Sequence, residues 1–472
     1  MDLQKNPKST TLKVGAIIAS RLVQLLVSFL LIRLMSEYLL KEEIGKVYLV
    51  TAIIGLLLFL FYNPLGQYVN RGTRGALNNG SVINLVFSFL FARIIISILA
   101  LLILAIIYYL LEYSSYYSCA QFLILGMFML LGSNAKALLG SLNLIAKEEV
   151  YAIFSILLSF CLFLGSYVAV SYEPTAYTWL IGQNLALFAF VIVITSYLYI
   201  RYKGNTRLKW TLNLSEYWSY FLPTLILMAI QWILNSGYIV LGERLLDLAT
   251  LGKVTIALAL TKGVFSNLEL VVNQYLLPKY YSKLEVEIEI QESEIWKGFF
   301  SLLTPFYLSF LVIFIGLIKV FLPIVISPDF GDILNVVVIG AIWEFLRIIQ
   351  NMFLLLNNTK LNSKPALVPM ALSAFSLVIM ALILPFKTAG SFVLILVFST
   401  LISVVFLAIK LNNFYKLTFN WKTLIPAWIL GILPLGLMAL VNLKIGIIIS
   451  AFLCLTVFRK SIIIYYNRLI SY

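Results

Sequence analysis

The sequence has no histidine, few charged residues and only three cysteines. Charged residues make up 11% of the 472 positions, whereas hydrophobic residues make up 62%. Soluble globular domains contain about 25% charged and roughly 45–50% apolar residues, so this composition excludes an ordinary soluble domain. Histidine is the commonest general base and metal ligand, and Cys119, Cys161 and Cys454 show no metal-ligand spacing. We therefore expect no catalytic residue, no metal site and no cofactor.

Long uncharged apolar runs, such as Ile94–Leu111, dominate the chain. About 20 such residues cross the hydrocarbon core as a helix, which satisfies its own backbone polar groups. Continuous runs do not match the alternating strands of a membrane barrel. The sequence therefore predicts an all-α polytopic membrane protein with about fourteen transmembrane helices. The predicted spans are 14–35, 46–69, 82–111, 117–142, 150–172, 175–200, 217–242, 248–278, 298–325, 333–357, 365–385, 388–410, 424–441 and 444–458.

Lys and Arg residues are unevenly divided between the two sides of these spans. With a cytoplasmic N-terminus, 21 of the 34 basic residues fall in inner segments and six in outer segments. Cytoplasmic loops of membrane proteins carry the excess of Lys and Arg. We therefore expect both termini in the cytoplasm, and the net charge of +14 mostly describes the inner face.

A weak internal repeat links the two halves of the chain. A shift of 207 residues places Ile44–Val47 (IGKV) on Leu251–Val254 (LGKV) and Gln67-Tyr68 on Gln274-Tyr275. The shift spans an even number of helices, so the repeats should be parallel, with a substrate site between them, as in many transporters. The predicted domains are a six-helix bundle at 1–210, a second at 211–410, and a C-terminal helix pair with a tail at 411–472. Chance matching between apolar helices is the alternative explanation.

Ionisable groups inside predicted spans are the candidate functional residues, because a charge in a bilayer faces a cavity or a partner. Glu344 and Arg347 lie three positions apart on one helix, a spacing at which they can neutralise each other. Lys262 and Glu269 are seven apart, so that a partner helix could bridge them. The residues in the spans are Arg21, Arg33, Arg93, Lys136, Lys262, Glu269, Lys319, Glu344 and Arg347.

Arg21, Arg93 and Lys262 lie deepest and have no acidic residue within one turn. Cationic groups that line an aqueous cavity attract an anionic substrate, and arginine binds phosphate oxygens in a bidentate fork. A diphosphate headgroup therefore suits these residues. The alternative is a packing role with polar partners from other helices.

Two stretches of the chain resemble a known transporter family. RLVQLLVSFLLIRLMSEYLLKEEIGKVYLV at 21–50 and NPLGQYVNR at Asn63–Arg71 resemble the opening of Wzx-type polysaccharide repeat-unit flippases. NSGYIVLGERLLDLATLGKV at Asn235–Val254 and NQYLLPKYYSK at Asn273–Lys283 resemble the start of their second half. These flippases belong to the multidrug/oligosaccharidyl-lipid/polysaccharide (MOP) exporter superfamily.

The resemblance implies two six-helix bundles around a central cationic cavity in a bacterial inner membrane. The implied function is to move an undecaprenyl-diphosphate-linked oligosaccharide, such as an O-antigen unit of lipopolysaccharide, from the cytoplasmic to the periplasmic leaflet. By position, the implied diphosphate contacts are Arg21, Arg33, Arg71 and Lys262. The implied partners are membrane lipids and the polymerase and chain-length proteins of the same pathway; nucleic acid is not expected. Many such flippases have twelve helices, whereas fourteen are predicted here.

Two other functions compete with a flippase. A cation-coupled multidrug exporter of the same superfamily would need acidic residues for H⁺, Na⁺ or drugs, and Glu269 and Glu344, with Arg347 beside them, are the candidate coupling or charge partners. A membrane glycosyltransferase or polymerase would need an acidic outer loop or a large outer loop. Glu37, Glu42 and Glu43 supply acidic residues at the first outer loop, but the outer loops are short.

Overall fold

A computed structural model describes residues 7–145, 148–202, 209–211, 214–286, 292–359, 364–384 and 388–415. Within these ranges the chain consists of helices and short connections, without strands. The helices are α1 (Pro7–Tyr38), α2 (Lys41–Leu57), α3 (Asn63–Asn78), α4 (Val82–Leu110), α5 (Cys119–Gly132), α6 (Asn134–Ile145), α7 (Glu148–Tyr172), α8 (Ala176–Tyr202), α9 (Leu214–Trp232), α10 (Tyr238–Leu245), α11 (Leu248–Val286), α12 (Glu292–Val325), α13 (Leu334–Thr359), α14 (Lys364–Ile383) and α15 (Ala389–Tyr415).

Eleven helical segments of the described residues are long and apolar enough to cross a membrane. They confirm the all-helical membrane fold that the apolar runs predict. The segments are Ala19–Tyr38, Lys41–Val69, Val82–Leu110, Cys119–Asn143, Glu149–Tyr172, Ala176–Tyr202, Thr224–Leu245, Leu248–Asn273, Glu294–Val325, Pro365–Ile383 and Ala389–Asn413. The predicted span 333–357 corresponds to α13, which carries the ionisable pair Glu344 and Arg347. The predicted spans 424–441 and 444–458 lie outside the described residues.

Two spans contain a π-helical turn, where the backbone takes one extra residue. Leu58–Tyr62 joins α2 to α3, and Ile233–Gly237 joins α9 to α10. Such turns interrupt the regular hydrogen-bond ladder and recur at functional positions in membrane helices. The indole of Trp232, at the second turn, donates a hydrogen bond of 2.8 Å to the Ala52 carbonyl oxygen. The two interrupted helices are thereby tied to each other.

The described chain separates into two compact units, Met1–Thr255 and Ile256–Tyr472. Unit 1 is built around a core that α3, α4, α6 and α8 share with α9, and Phe89 and Leu138 are buried within it. In unit 2, α13 packs against α12, α14 and α15. The predicted domain bounds at 210 and 410 stay predictions, and the third predicted domain, 411–472, lies almost entirely outside the described residues.

Polar contacts join α13 and α15 in the apolar interior of unit 2. The Trp343 indole donates to Thr400 Oγ1 at 3.0 Å, and the Gln350 amide donates to Ser403 Oγ at 2.7 Å. In a bilayer, hydrogen bonds of this kind fix helix register because apolar packing alone distinguishes few arrangements. They hold α13, and with it Glu344 and Arg347, in one rotational setting.

Candidate functional site

Three ionisable side chains meet where α11 and α13 pack inside unit 2. The guanidinium of Arg347 donates from Nε to Glu344 Oε2 at 2.7 Å and from Nη2 to Glu269 Oε2 at 3.3 Å. The Asn351 amide donates to the other Glu269 oxygen, Oε1, at 2.9 Å. Arg347 also reaches Ser266 Oγ at 3.2 Å. The predicted pairing of Glu344 with Arg347 is therefore present, and α13 supplies both of Glu269's partners.

This carboxylate–arginine network has an unbalanced charge, with two carboxylates around one guanidinium. Glu344 is fully buried, and its Oε1 accepts no hydrogen bond from the described residues. A buried unpaired carboxylate oxygen is costly in a low-dielectric interior. The described part of the network therefore places two carboxylates of different helices on one guanidinium.

Arg93 of α4 lies in the interior of unit 1, with 4% of its surface exposed. Its guanidinium carbon sits 4.6 Å from the ring centroids of both Tyr62 and Phe89. Its Nη1 donates to Asn134 Oδ1 at 2.8 Å, and Nη2 lies 3.4 Å from the Tyr62 carbonyl oxygen. Tyr62 ends the π-helical turn after α2, so Arg93 contacts this turn through both the Tyr62 ring and the Tyr62 carbonyl oxygen.

Arg21 of α1 contacts α7 in unit 1 and is also buried, with 8% of its surface exposed. Its Nη1 donates to Gln24 Oε1 at 2.8 Å and its Nη2 to the Tyr151 hydroxyl at 2.7 Å. Two neighbouring donors, Arg21 Nε and Gln24 Nε2, have no hydrogen-bond acceptor within the described part of the chain. The described hydrogen-bond partners of Arg21, Gln24 and Tyr151, are both neutral.

The remaining predicted cations lie on three different helices. Arg33 of α1 forms an exposed pair with Glu37, 3.1 Å apart. Arg71 belongs to α3, but its side chain is outside the described part of the chain. Lys262 is exposed on α11, seven residues before Glu269. Arg21, Arg33, Arg71 and Arg93 belong to unit 1 and Lys262 to unit 2, so their convergence on one cavity stays a prediction.

Sequence reasoning missed the neutral residues that complete these sites. Asn351 and Ser266 bind members of the carboxylate–arginine network, and Tyr62 and Asn134 hold Arg93. It also missed Glu243 of α10, which accepts a hydrogen bond from Tyr116. The sequence feature that could have indicated this contact is the presence of three tyrosines among the five residues from Tyr113 to Tyr117.

Comparison with known proteins gives a match in structure alone. No family model and no curated protein matches the sequence. The structure of the lipid II flippase MurJ in an inward closed conformation shares 13% identity and a TM-score of 0.67, covering 98% of this chain and 100% of that chain. An inward-facing multidrug resistance MATE family transporter of the MOP superfamily shares 13% identity and a TM-score of 0.52, covering 86% of this chain and 98% of that chain. The chain is thus a multi-pass membrane protein with the fold of these transporters.

Proposed function

We propose that this protein is a flippase that moves a lipid-linked oligosaccharide across a bacterial inner membrane by alternating access. The substrate class is an undecaprenyl-diphosphate-linked repeat unit of a surface polysaccharide, carried from the cytoplasmic to the periplasmic leaflet. The observation that carries the proposal is the full-length fold match to a lipid II flippase. The match to a multidrug transporter extends over less of the chain and at a lower TM-score.

The charges of the described residues support an anionic substrate. Arg21 is bound by neutral groups and keeps two unsatisfied donors beside it. Lys262 is an exposed cation on a membrane-spanning segment of α11. A diphosphate is the part of a lipid-linked oligosaccharide that such cations recognise.

A cation-coupled exporter is the second candidate, and the carboxylate–arginine network is compatible with it. Its pair of carboxylates, Glu269 and Glu344, is the acidic group that coupling to H⁺ or Na⁺ would need. A flippase driven by an ion gradient would use the same group, so the network supports coupling under either function. The glycosyltransferase alternative is weaker, because Glu37 pairs with Arg33 and Glu43 pairs with Lys46 and caps α8 at the Ala176 amide.

The decisive experiment measures surface-polysaccharide display in a strain that lacks the native gene. Lys262→Ala should abolish display while the protein still inserts, whereas Lys262→Arg should keep much of it because the charge is retained. Lys319→Ala is the matched control, since Lys319 is an exposed lysine of α12 in the same unit. Immunoblots confirm expression of each variant.

Two further variants separate substrate binding from charge balance. Combining Lys262→Ala with Glu269→Ala should not restore display, because Glu269 is held by Arg347 and Asn351; rescue would contradict the substrate role of Lys262. Glu269→Gln alone should leave display largely intact. Loss of display in Glu269→Gln, at normal protein level, would indicate that this carboxylate acts in ion coupling.

A further inference from the structure

One side of α6 is polar and open, although α6 belongs to the membrane-spanning segment Cys119–Asn143. Among its described side chains, the exposed ones are Lys136 and Asn143, which are seven positions apart and therefore share one side of the helix. Gly140 lies between them on that side, and nothing lies within 4 Å of a Cβ added there. The opposite side, with Leu138, is fully buried. The helix is therefore amphipathic inside the membrane.

Lys136 starts from a backbone position well inside the bilayer. Two positions before it, Asn134 accepts a hydrogen bond from Arg93, which is the twelfth of the 29 residues of α4. At a rise of about 1.5 Å per residue, Arg93 stands roughly 16 Å from the nearer end of its helix, and Lys136 is about 3 Å closer to that end. These distances are close to half the thickness of the hydrocarbon core. A lysine at this depth is costly on a surface that faces lipid.

The neighbouring helix α4 shows how a surface suited to lipid is built in unit 1. Every exposed residue of α4 from Phe87 to Ile106 is a large apolar one. The exposed side of α6 has instead a lysine, an asparagine and an open glycine. A charged group in a membrane-spanning segment faces a water-filled space or a partner, and Lys136 has no hydrogen-bond or ion-pair partner among the described residues. The polar side of α6 therefore borders a water-filled space.

The adjacent helix α3 has the same character. It packs against α6, and both helices bury apolar side chains, such as Leu65 and Leu138, in the core of unit 1. Their polar sides both face away from that core, and α3 exposes Asn63 and Gln67. Each of the two helices forms the second half of a span, and one span, α4, separates these spans in the chain. Both helices therefore run in the same direction and occupy the half of the membrane next to the α3–α4 loop.

The charge of these two helices favours an anion in the water-filled space. The sequences of α3 and α6 contain three basic residues, Arg71, Arg74 and Lys136, and no Asp or Glu. A polar space of this sign attracts anions and repels a coupling cation or a cationic drug. The ammonium group of a lysine is a compact point charge that suits phosphate oxygens.

We propose that Lys136 binds the diphosphate of the transported lipid at the polar side of α6. This inference rests on the proposed function and adds a binding residue of unit 1 to the cations expected from the sequence. It gives the diphosphate a position within the membrane, in the half that adjoins the α3–α4 loop. That loop is the one predicted to be cytoplasmic, so the substrate would reach Lys136 from the leaflet in which it is made.

The first measurement determines whether Lys136 faces water. The full-length protein without its three cysteines is placed in phosphatidylcholine nanodiscs, and a single cysteine replaces Lys136 or Phe91. Phe91 is the matched control, because it is 48% exposed and lies two residues before Arg93, at the depth that Lys136 reaches two residues after Asn134. A charged methanethiosulfonate should modify Lys136→Cys at least about tenfold faster than Phe91→Cys, because the reactive thiolate forms in water. Equal rates at the two positions would overturn the proposal.

The second measurement determines whether Lys136 binds a diphosphate. Farnesyl diphosphate is the probe, and its binding is followed by the protection of Asn143→Cys, on the same side of α6, from the same reagent. Lys136→Gln and Lys136→Met should each weaken this protection about tenfold, the effect of losing one charge-assisted contact. Lys136→Arg should keep it, and Lys319→Gln, at an exposed lysine of α12, is the control that should not change it. Melting temperatures confirm that each variant is folded.

Two further outcomes would overturn the diphosphate site. One is protection by farnesyl diphosphate that is the same with and without the charge of Lys136. The other is protection by phosphatidylglycerol in the nanodisc but not by farnesyl diphosphate, which would assign the lysine to an ordinary phospholipid headgroup. Either outcome leaves the Lys262 display result unaffected, so that the flippase proposal would stand. Diphosphate binding at Lys136 without any dependence of polysaccharide display on Lys262 or Lys136 would instead count against the flippase proposal.

Discussion

Arg347 has a larger structural role than its place in the sequence indicates. Its guanidinium lies between Glu344 on its own helix and Glu269 on α11, with 15% of the side chain exposed. Removing the cation that joins two carboxylates in a buried network leaves like charges facing each other in a low-dielectric interior. By contrast, the exposed pair of Arg33 and Glu37 is screened by its surroundings and contributes little.

Substitution of Arg347 tests this difference. Arg347→Ala should lower the free energy of unfolding by about 3–5 kcal/mol, the usual cost of breaking a buried ion pair. Glu344→Gln should be nearly neutral, because it removes the excess charge and keeps an acceptor for Arg347. Thermal melting of the purified variants measures both effects. Arg33→Ala, the exposed control, should change stability by less than about 1 kcal/mol; an equal loss in Arg33→Ala and Arg347→Ala would contradict this account.

Side-chain contacts were predictable from the sequence where the two partners lie close together in the chain. The three-residue spacing of Glu344 and Arg347 indicated their contact, and the structure has it at 2.7 Å. The partner of Glu269 is 78 positions away, and the Asn134 amide that binds Arg93 is 41 positions away. Helical periodicity carries no information on contacts at such distances, so the contacts of Arg93 with Tyr62 and Asn134 were not predictable from the sequence.

At the scale of elements, the repeat has a structural counterpart where α2 crosses the start of α11. The two helices begin at Lys41 and Leu248, which are equivalent positions under the 207-residue shift. A Cβ added at Gly45 would lie 2.5 Å from the Leu248 carbonyl oxygen, and one at Gly252 would collide with the Lys41 carbonyl oxygen. The contact is reciprocal, as between two related helices. The glycines of the two GKV sequences are therefore the residues that let the backbones meet.

Substitution of Gly252 tests the close approach of these helices. Gly252→Ala should lower the stability by about 1–3 kcal/mol, because backbone atoms cannot move aside as a flexible side chain can. Gly263→Ala, on the same helix, is the control: nothing lies within 4 Å of an added Cβ there. It should be neutral or stabilising by about 0.5–1 kcal/mol, as expected for alanine in a helix interior. Melting curves that rank Gly263→Ala below Gly252→Ala would refute the crossing.

At the scale of the whole molecule, the hydropathy pattern predicts the membrane fold but does not identify the substrate. The apolar runs predicted each of the eleven spanning segments found among the described residues. This success has a physical reason, since a bilayer admits only helices with internally satisfied backbones in such runs. The sugar, the coupling ion and the side of each loop depend on a few polar residues and on the membrane itself. Composition does not specify them.

The side of each loop is predicted from Lys and Arg, and labelling measures it directly. In a background without Cys119, Cys161 and Cys454, single cysteines replace Asn79, between α3 and α4, and Glu173, between α7 and α8. Both positions are exposed, so reactivity reports the side of the membrane and not burial. Because the basic residues Arg71 and Arg74 precede Asn79, the positive-inside rule places that loop in the cytoplasm and Glu173 in the periplasm. An impermeant maleimide should label position 173 in intact cells and position 79 only after lysis. The reverse pattern would invert the topology and, with it, the proposed direction of transport.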